Sequence, residues 1–281
     1  MPRTIAITDG IPELVQLFDF QRTFAENLGL LFTQNSTYFR YAESELRRHF
    51  RTPETYNILL YGMATGHNRI SQLAEFSGFP QNKCDKYLKT LDKVGLLETV
   101  QRKDTTGHVR THYYPKGGYW KTWFRYVFPS QGHRLKPLEG DSLQQLADDI
   151  DRTIVAEYFK TVCWKWMKKN YGDYYWDEVL RFDDPKQQDV TVNGVHFDYV
   201  QETKDHTIYV KIWDDIGEGF PKAEFQKIET VTTKNRPFYE NIYFLFSAGR
   251  ACNYVEQLRN LDTVAVVDLK SLLGQKNKEL F

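Results

Sequence analysis

A row of four lysines is the feature of this sequence best suited to binding chemistry. The lysines are spaced by three, three and four residues, so on an α-helix they share one face, and two amide residues precede them. Ammonium groups contact phosphates, while amide side chains hydrogen-bond to base edges. We therefore expect this face to meet a DNA duplex, although lysines of this kind also serve only to solvate a helix. The residues concerned are Gln81, Asn82, Lys83, Lys86, Lys89 and Lys93.

A hairpin that follows the lysine row carries further positive charge. Residues 96–100 and 109–114 have the composition of two β-strands separated by a turn. Arg102, Lys103 and Arg110 lie close to that turn. Cationic side chains at the tip of such a hairpin can reach the DNA backbone or the minor groove. We predict that these three residues form a second set of DNA contacts.

Three short helices are predicted to position both sets. Apolar residues recur at helical spacing over 53–64, 70–76 and 81–94, and glycine or proline residues mark the ends of these segments. Three short helices followed by a hairpin are typical of a winged helix-turn-helix. Domains of this type bind DNA, but others act as protein-contact modules, so the pattern leaves both functions open.

The charge distribution favours a polyanion as the partner of this region. Lys and Arg equal Asp and Glu over the whole chain, at 37 each. Residues 44–136 nevertheless contain sixteen basic and seven acidic residues. Residues 141–281 contain eighteen basic and twenty-four acidic residues. A basic segment joined to an acidic one indicates different functions for the two parts.

Composition excludes several other classes of protein. No apolar run approaches the ~20 residues of a membrane span, and the N-terminus lacks the apolar region of a signal peptide. The three cysteines are far apart, which argues against a disulfide framework and against a zinc site. We expect a cytoplasmic protein with no membrane partner and no bound metal.

The chain divides into four predicted segments. In the last segment a long amphipathic helix over 142–170 precedes strands, including a hairpin at Asn193-Gly194 and a final strand-helix-strand unit. Near-continuous apolar strands of this kind favour a partly parallel, covered sheet and an α+β multi-domain fold. The segments are a helical region at 1–50, the winged helix with an aromatic helix at 51–129, a linker at 130–141, and an α/β domain at 142–281.

The order of these segments resembles the C-terminal half of the archaeal-type AAA/STAND ATPases. In that family a P-loop ATPase domain is followed by a helical lid, a winged helix and a restriction-endonuclease-like domain. The resemblance implies a lid-like segment at 1–50 and an endonuclease-like domain with a mixed sheet at 142–281. The stretches that carry it are 8–12, 51–56, 78–96, 123–129, 243–247 and 266–269.

The ATPase core of that family has no counterpart in this sequence. No Gly-x-x-x-x-Gly-Lys-Ser/Thr motif occurs, so a backbone cradle for nucleotide phosphates is missing. The Gly-x-Gly at residues 217–219 lies in a predicted loop. We expect no cofactor, and no ATP binding or hydrolysis by this chain alone. A separate ATPase chain is a candidate partner.

The resemblance also implies a nuclease-type metal site, from which this sequence departs. The family holds its metal ion with an Asp on one strand and the Glu of a Glu-x-Lys on the next. Asp198 supplies the first carboxylate. In one alignment of the next strand, Lys211 stands at the position of the Glu. In a shifted alignment, Tyr209 stands at the position of the Glu and Lys211 is the retained Lys. Because either register lacks the second carboxylate, we expect no catalytic residues, and we expect Asp198 and Lys211 to form a structural pair or a remnant.

These features lead to one leading hypothesis and two alternatives. The leading hypothesis is a non-catalytic protein that binds double-stranded DNA, in which the inactive endonuclease-like domain is a platform for interaction or homodimerisation. The first alternative is a protein-interaction subunit of a split AAA/STAND ATPase. The second alternative is a residual metal-dependent nuclease.

Overall fold

The computed structural model describes most of the chain as an α+β protein. It divides into two compact units, Met1–Val155 and Ala156–Phe281. A mixed five-stranded sheet and separate two-stranded sheets accompany the helices, which confirms the predicted fold class. The described residues are 2–33, 36–103, 108–128, 140–171, 174–175, 178–182, 184, 186–215, 219–236, 239–249, 253–258 and 261–272.

In its described residues, the first unit is helical apart from one hairpin and short connections. Its α-helices are α1 (Pro2–Thr8), α2 (Pro12–Val15), α3 (Phe24–Leu31), α4 (Thr37–His49), α5 (Glu54–Ala64), α6 (Ile70–Ser77), α7 (Gln81–Lys93), α8 (Gly118–Thr122) and α9 (Asp141–Ile150). The hairpin consists of β1 (Leu97–Lys103) and β2 (Val109–Pro115). Two π-helical turns, π1 (Trp123–Val127) and π2 (Asp151–Val155), follow α8 and α9.

Helices α5, α6 and α7 and the hairpin occur in the order expected for a winged helix-turn-helix. Gly78 ends α6 in the left-handed conformation, with φ of 71°, and Pro80 precedes α7. Leu59, Leu73 and Leu88, one from each helix, are buried. The apolar spacing that predicted these helices therefore marks the side of each helix that packs inward.

The N-terminal helices belong to the same compact unit as the winged helix. Helix α1 packs against α8, where a Cβ on Gly118 would lie 1.7 Å from the carbonyl oxygen of Ala6. The Asp9 carboxylate accepts hydrogen bonds from the backbone N–H groups of Gly118 and Tyr119. Helix α3 packs against α9, so residues 141–155 join the first unit. The division therefore falls after Val155, later than the predicted start at 142, and most of the predicted linker at 130–141 lies outside the described residues.

The second unit is built on the five-stranded sheet. Its helices are α10 (Ala156–Tyr171), α11 (Lys222–Asn235), α12 (Asn253–Gln257) and α13 (Leu269–Leu272). Its strands are β3 (Tyr174–Tyr175), β4 (Glu178–Val179), β5 (Gln188–Val192), β6 (Val195–Glu202), β7 (His206–Trp213), β8 (Glu240–Ser247) and β9 (Val264–Asp268).

Strands β5 to β9 lie in sequence order in this sheet. Strands β5, β6 and β7 are antiparallel, whereas β7, β8 and β9 are parallel, as expected for a partly parallel sheet. Helix α10 covers one face, where Phe159 packs with Val210. Helix α11 covers the other face, where Phe225 packs with Tyr209. A mixed sheet with a helix on each face agrees with the partly parallel, covered sheet that the apolar strands predicted.

Candidate nucleic-acid interface

Helix α7 has one buried side and one exposed, mainly basic side. Cys84, Leu88 and Leu91 are buried against the rest of the unit. The spacing of these three residues fixes which side of the helix faces solvent. All six side chains of α7 that were predicted to meet DNA are exposed, namely Gln81, Asn82, Lys83, Lys86, Lys89 and Lys93.

The four lysines of α7 differ in what surrounds them. The Lys83 ammonium lies 4.1 Å from the centre of the Phe79 ring. Lys89 Nζ lies 2.6 Å from Asp85 Oδ2, and this hydrogen bond, followed by the carboxylate charge, raises the pKa of Lys89. Within the described part of the chain, Lys86 and Lys93 have no ion pair. The sequence reasoning overlooked Asp85, whose carboxylate forms an ion pair with Lys89, one of the four lysines.

The hairpin carries two arginines at facing positions of its strands. Arg102 and Arg110 are directly opposite each other in the antiparallel register, and both are exposed. The Arg102 guanidinium also lies 5.6 Å from the centre of the Tyr114 ring. Lys103 ends β1, but its side chain lies outside the described residues.

Two further residues belong to the region of the wing, which is the hairpin formed by β1 and β2. They are His112 on β2 and the cationic Arg69, and sequence reasoning assigned neither of them to this region. Burial lowers the pKa of His112, and the nearby charges of Arg102 and Arg69 lower it further. Arg69 is exposed immediately before α6, so the turn between α5 and α6 contributes to this positive region. No local motif marks Arg69, because its proximity to the wing arises from a chain reversal of more than forty residues.

Asn68 connects that turn to the wing. Its backbone oxygen accepts a hydrogen bond of 2.8 Å from the Tyr113 N–H, and its Nδ2 donates to the Tyr113 oxygen at 2.9 Å. The same Nδ2 donates to the Met63 oxygen at the end of α5. This arrangement holds strand β2 at a fixed position relative to helices α5 and α6, so the basic residues of the wing and the turn stay together.

Asp198, the predicted remnant carboxylate, is buried and fully engaged. Its side chain is 5% exposed. Asp198 Oδ1 accepts a hydrogen bond of 2.8 Å from Lys160 Nζ on α10, and Oδ2 accepts one of 2.7 Å from the Ile212 N–H. The regular pairing of β6 with β7 ends at Tyr199 and Val210. The Asp198 carboxylate therefore accepts the hydrogen bond of a β7 backbone N–H, that of Ile212, which lies beyond this pairing.

The expected pair between Asp198 and Lys211 is not formed. Lys211 Nζ donates to the His196 oxygen at 2.7 Å and lies 3.8 Å from Glu224 Oε1 on α11. Asp198 is turned to α10 and Lys211 to α11, the helices on opposite faces of the sheet. Regular antiparallel pairing would place the two residues opposite each other on one face. The ladder ends at Tyr199 and Val210, however, and Asp198 instead accepts the Ile212 N–H, so the two side chains are directed to different helices.

Lys160 is the charged group at the centre of the Asp198 site. Burial lowers its pKa, but the charge and hydrogen bond of Asp198, and the charges of Asp214 and Asp189, raise it above the ordinary value. Asp198 is therefore not the only carboxylate near this ammonium group. In the described ranges, however, no group of three His, Cys, Asp or Glu side chains is arranged to hold a metal ion.

Comparison with known proteins shows a limited similarity to an archaeal protein. No model of a known protein family matches the chain. The chain is 27% identical over 126 residues to the uncharacterized protein MJECL04 of Methanocaldococcus jannaschii. The similar stretch covers 43% of this chain and 28% of the relative, so the chain spans less than a third of the relative's length. None of the helices in the described ranges is both long enough and apolar enough to cross a lipid bilayer.

Proposed function

We propose that this protein binds double-stranded DNA through α7 and the hairpin and does not itself catalyse a reaction. The observation that carries the proposal is the exposed basic side of α7, on which Lys86 and Lys93 have no ion pair among the described residues. The exposed Arg102 and Arg110 on the wing support it, because guanidinium groups form charge-assisted hydrogen bonds to phosphates.

The proposal assigns separate roles to the two sets of residues. The amides of Gln81 and Asn82 stand at the start of α7, where a recognition helix contacts base edges. The lysines of α7 and the arginines of the wing contact phosphates, which gives affinity with little sequence preference. In this proposal the chain is related to the C-terminal region of archaeal-type ATPases, and its second unit is a platform for a partner or a second copy.

Salt-dependent DNA binding tests the proposal. We suggest fluorescence anisotropy with a labelled duplex of about 30 base pairs over a range of salt concentrations. The double substitution Lys83→Glu and Lys86→Glu should reduce the affinity and lower the slope of log K against log salt by about two. The double substitution Lys186→Glu and Lys204→Glu makes the same charge change at exposed positions of the second unit and should leave both quantities unchanged. Equal losses in the two variants would refute the assignment of α7.

A metal-dependent nuclease is the second candidate, favoured by Asp214 and Asp189 near Lys160. These residues add carboxylates to the neighbourhood of Asp198, which the strand motif alone lacked. Against this candidate, both oxygens of Asp198 are already hydrogen-bonded. A plasmid-nicking assay with Mg²⁺ or Mn²⁺ distinguishes the two. Nicking that disappears in both Asp198→Ala and Asp214→Ala would replace the non-catalytic proposal with this one.

A further inference from the structure

Strand pairing places His112 and Arg102 on one face of the wing. Residues that oppose each other in an antiparallel pair share a face, and along each strand every second residue does so. Arg102 is opposite Arg110, and His112 lies two residues beyond Arg110 on β2. The residues of this face are Glu98, Val100, Arg102, Arg110, His112 and Tyr114, and we name it the basic face of the wing.

The Arg102 side chain extends along this face towards His112. Its guanidinium lies 5.6 Å from the centre of the Tyr114 ring, although the residue opposite Arg102 in the register is Arg110. His112 is midway between Arg110 and Tyr114 on β2. The side chain therefore runs past the imidazole, in agreement with the electrostatic interaction between Arg102 and His112.

Arg69 approaches the same face from the other edge of β2. Both backbone polar groups of Tyr113 are hydrogen-bonded to Asn68, which makes the residues before α6 the neighbours of β2 on the side away from β1. The Asn68 side chain is directed to the helices, since it also donates to the Met63 oxygen. Arg69 is extended, with φ of −106° and ψ of 149°, so its side chain points to the opposite face, where its charge acts on His112.

The two guanidinium groups at His112 are available to an external anion. Arg69 and Arg102 are exposed, and neither has an ion pair within the described residues. Glu98, on the same face, is paired with Lys121 at 3.2 Å. Burial and the charges of Arg102 and Arg69 lower the pKa of His112, so the free protein favours the neutral ring. A phosphate at this position would accept hydrogen bonds from both guanidinium groups, and its negative charge would favour the protonated ring.

We propose that the basic face of the wing binds one backbone phosphate of DNA between Arg69 and Arg102, and that His112 takes up a proton from solvent when this phosphate binds. The guanidinium groups donate hydrogen bonds to the phosphate oxygens, and the protonated imidazole donates a further one. The turn between α5 and α6 thereby becomes a third contact segment, in addition to α7 and the hairpin. The inference rests on the proposed function, because it adds a contact to the same DNA.

Removal of the Arg69 charge tests the phosphate contact in the full-length protein. In anisotropy titrations with a duplex of about 30 base pairs, Arg69→Gln should lower the slope of log K against log salt by about one. Arg40→Gln removes an exposed arginine of α4 that also has no ion pair within the described residues, and it should leave the slope unchanged. Both variants should melt as the wild type does. Equal slopes for Arg69→Gln and the wild type would overturn the proposal.

Nuclear magnetic resonance of ¹³C-labelled histidine tests the proton uptake. The chain has seven histidines, and His112→Gln identifies the signal of His112. Addition of the duplex should raise the pKa of His112 by about 0.5, which corresponds to a roughly threefold preference of the phosphate for the protonated ring. In Arg69→Gln the pKa of His112 should be higher than in the wild type before DNA is added, because one neighbouring charge is gone, and the duplex should raise it by less.

The same titration separates this site from the proposed function. A duplex that binds the protein but leaves the His112 signal unchanged would overturn the site and leave the assignment of α7 intact. Absence of duplex binding by the wild type would overturn both. Poly-L-glutamate, a polyanion without phosphate, should not change the His112 signal at an equal concentration of charge. An equal change would overturn the assignment to phosphate in favour of an acidic protein segment.

Discussion

The two units use lysine in opposite ways. On α7, Lys86 and Lys93 are exposed and have no ion pair among the described residues, so their charge is available to an external polyanion. On α10, Lys160 is hydrogen-bonded to the buried carboxylate of Asp198, so its charge is used within the fold. The comparison teaches that the surroundings of a lysine indicate its role better than its presence in the sequence does. A lysine paired with a buried carboxylate stabilises the fold, whereas an exposed lysine without an ion pair can bind an external anion.

The strongest test of this comparison removes the carboxylate of the internal pair. Asp198→Ala should lower the free energy of unfolding of the second unit by about 2–4 kcal/mol, because Lys160 and the Ile212 N–H both lose their acceptor. Urea unfolding followed by tryptophan fluorescence measures the change. Asp205→Ala, at an exposed turn, should change stability by less than about 0.5 kcal/mol. If the two variants are equally stable, Asp198 has no structural role.

The next test disturbs the scaffold that holds the external charges together. Asn68→Ala should cost about 1–2 kcal/mol, because the carbonyl oxygens of Met63 and Tyr113 lose their amide donor. Thermal unfolding should show this loss, and DNA affinity should fall with it. Gln101→Ala, at an exposed position of β1, serves as the control and should leave both quantities unchanged. A normal melting temperature for Asn68→Ala would show that the wing is held by other contacts.

A third test converts an internally paired lysine on α7 into an available one. Asp85→Asn removes the partner of Lys89 and one negative charge from the helix. DNA affinity should therefore increase, by up to about tenfold at low salt. Asp262→Asn makes the same charge change at an exposed position in the second unit and should have no such effect. Weaker DNA binding by Asp85→Asn would mean that Asp85 positions Lys89 for contact rather than competing for it.

The smallest expected effect concerns His112. Because its pKa in the folded protein is lowered, the fold favours the neutral ring, so stability is complete above about pH 6.5 and decreases as the pH falls below it. Bound DNA phosphate would favour the charged ring, so affinity should rise as the pH falls from 8 to 6, by less than about threefold. Anisotropy titrations of His112→Gln should show a weaker pH dependence. An unchanged dependence would exclude His112 from the interface.

Local sequence patterns predicted the elements of the winged helix well. The prediction of a helix over 81–94 agrees with α7 at Gln81–Lys93, because a proline and a glycine delimit it and apolar spacing fixes its inner side. The five-stranded mixed sheet was also anticipated, since Asn193-Gly194 specifies a hairpin and apolar strands flank a crossover helix. These features depend on residues close together in the chain.

Pairings between distant residues were not predictable in the same way. The sequence placed Lys211 beside Asp198 because they occupy neighbouring strands, yet the partner is Lys160, thirty-eight residues away on a helix. Likewise, Arg69 approaches the wing only after the chain has folded back. No local motif encodes these approaches, since each depends on how separate elements pack.

The amino-acid sequence alone determined which segments become helices and strands and where basic residues accumulate, because periodicity and turn residues act over a few positions. Only the tertiary structure decided which charges are neutralised inside the protein and which remain at the surface. The physical reason is that ion pairing and burial are set by the distances between elements, and folding fixes those distances.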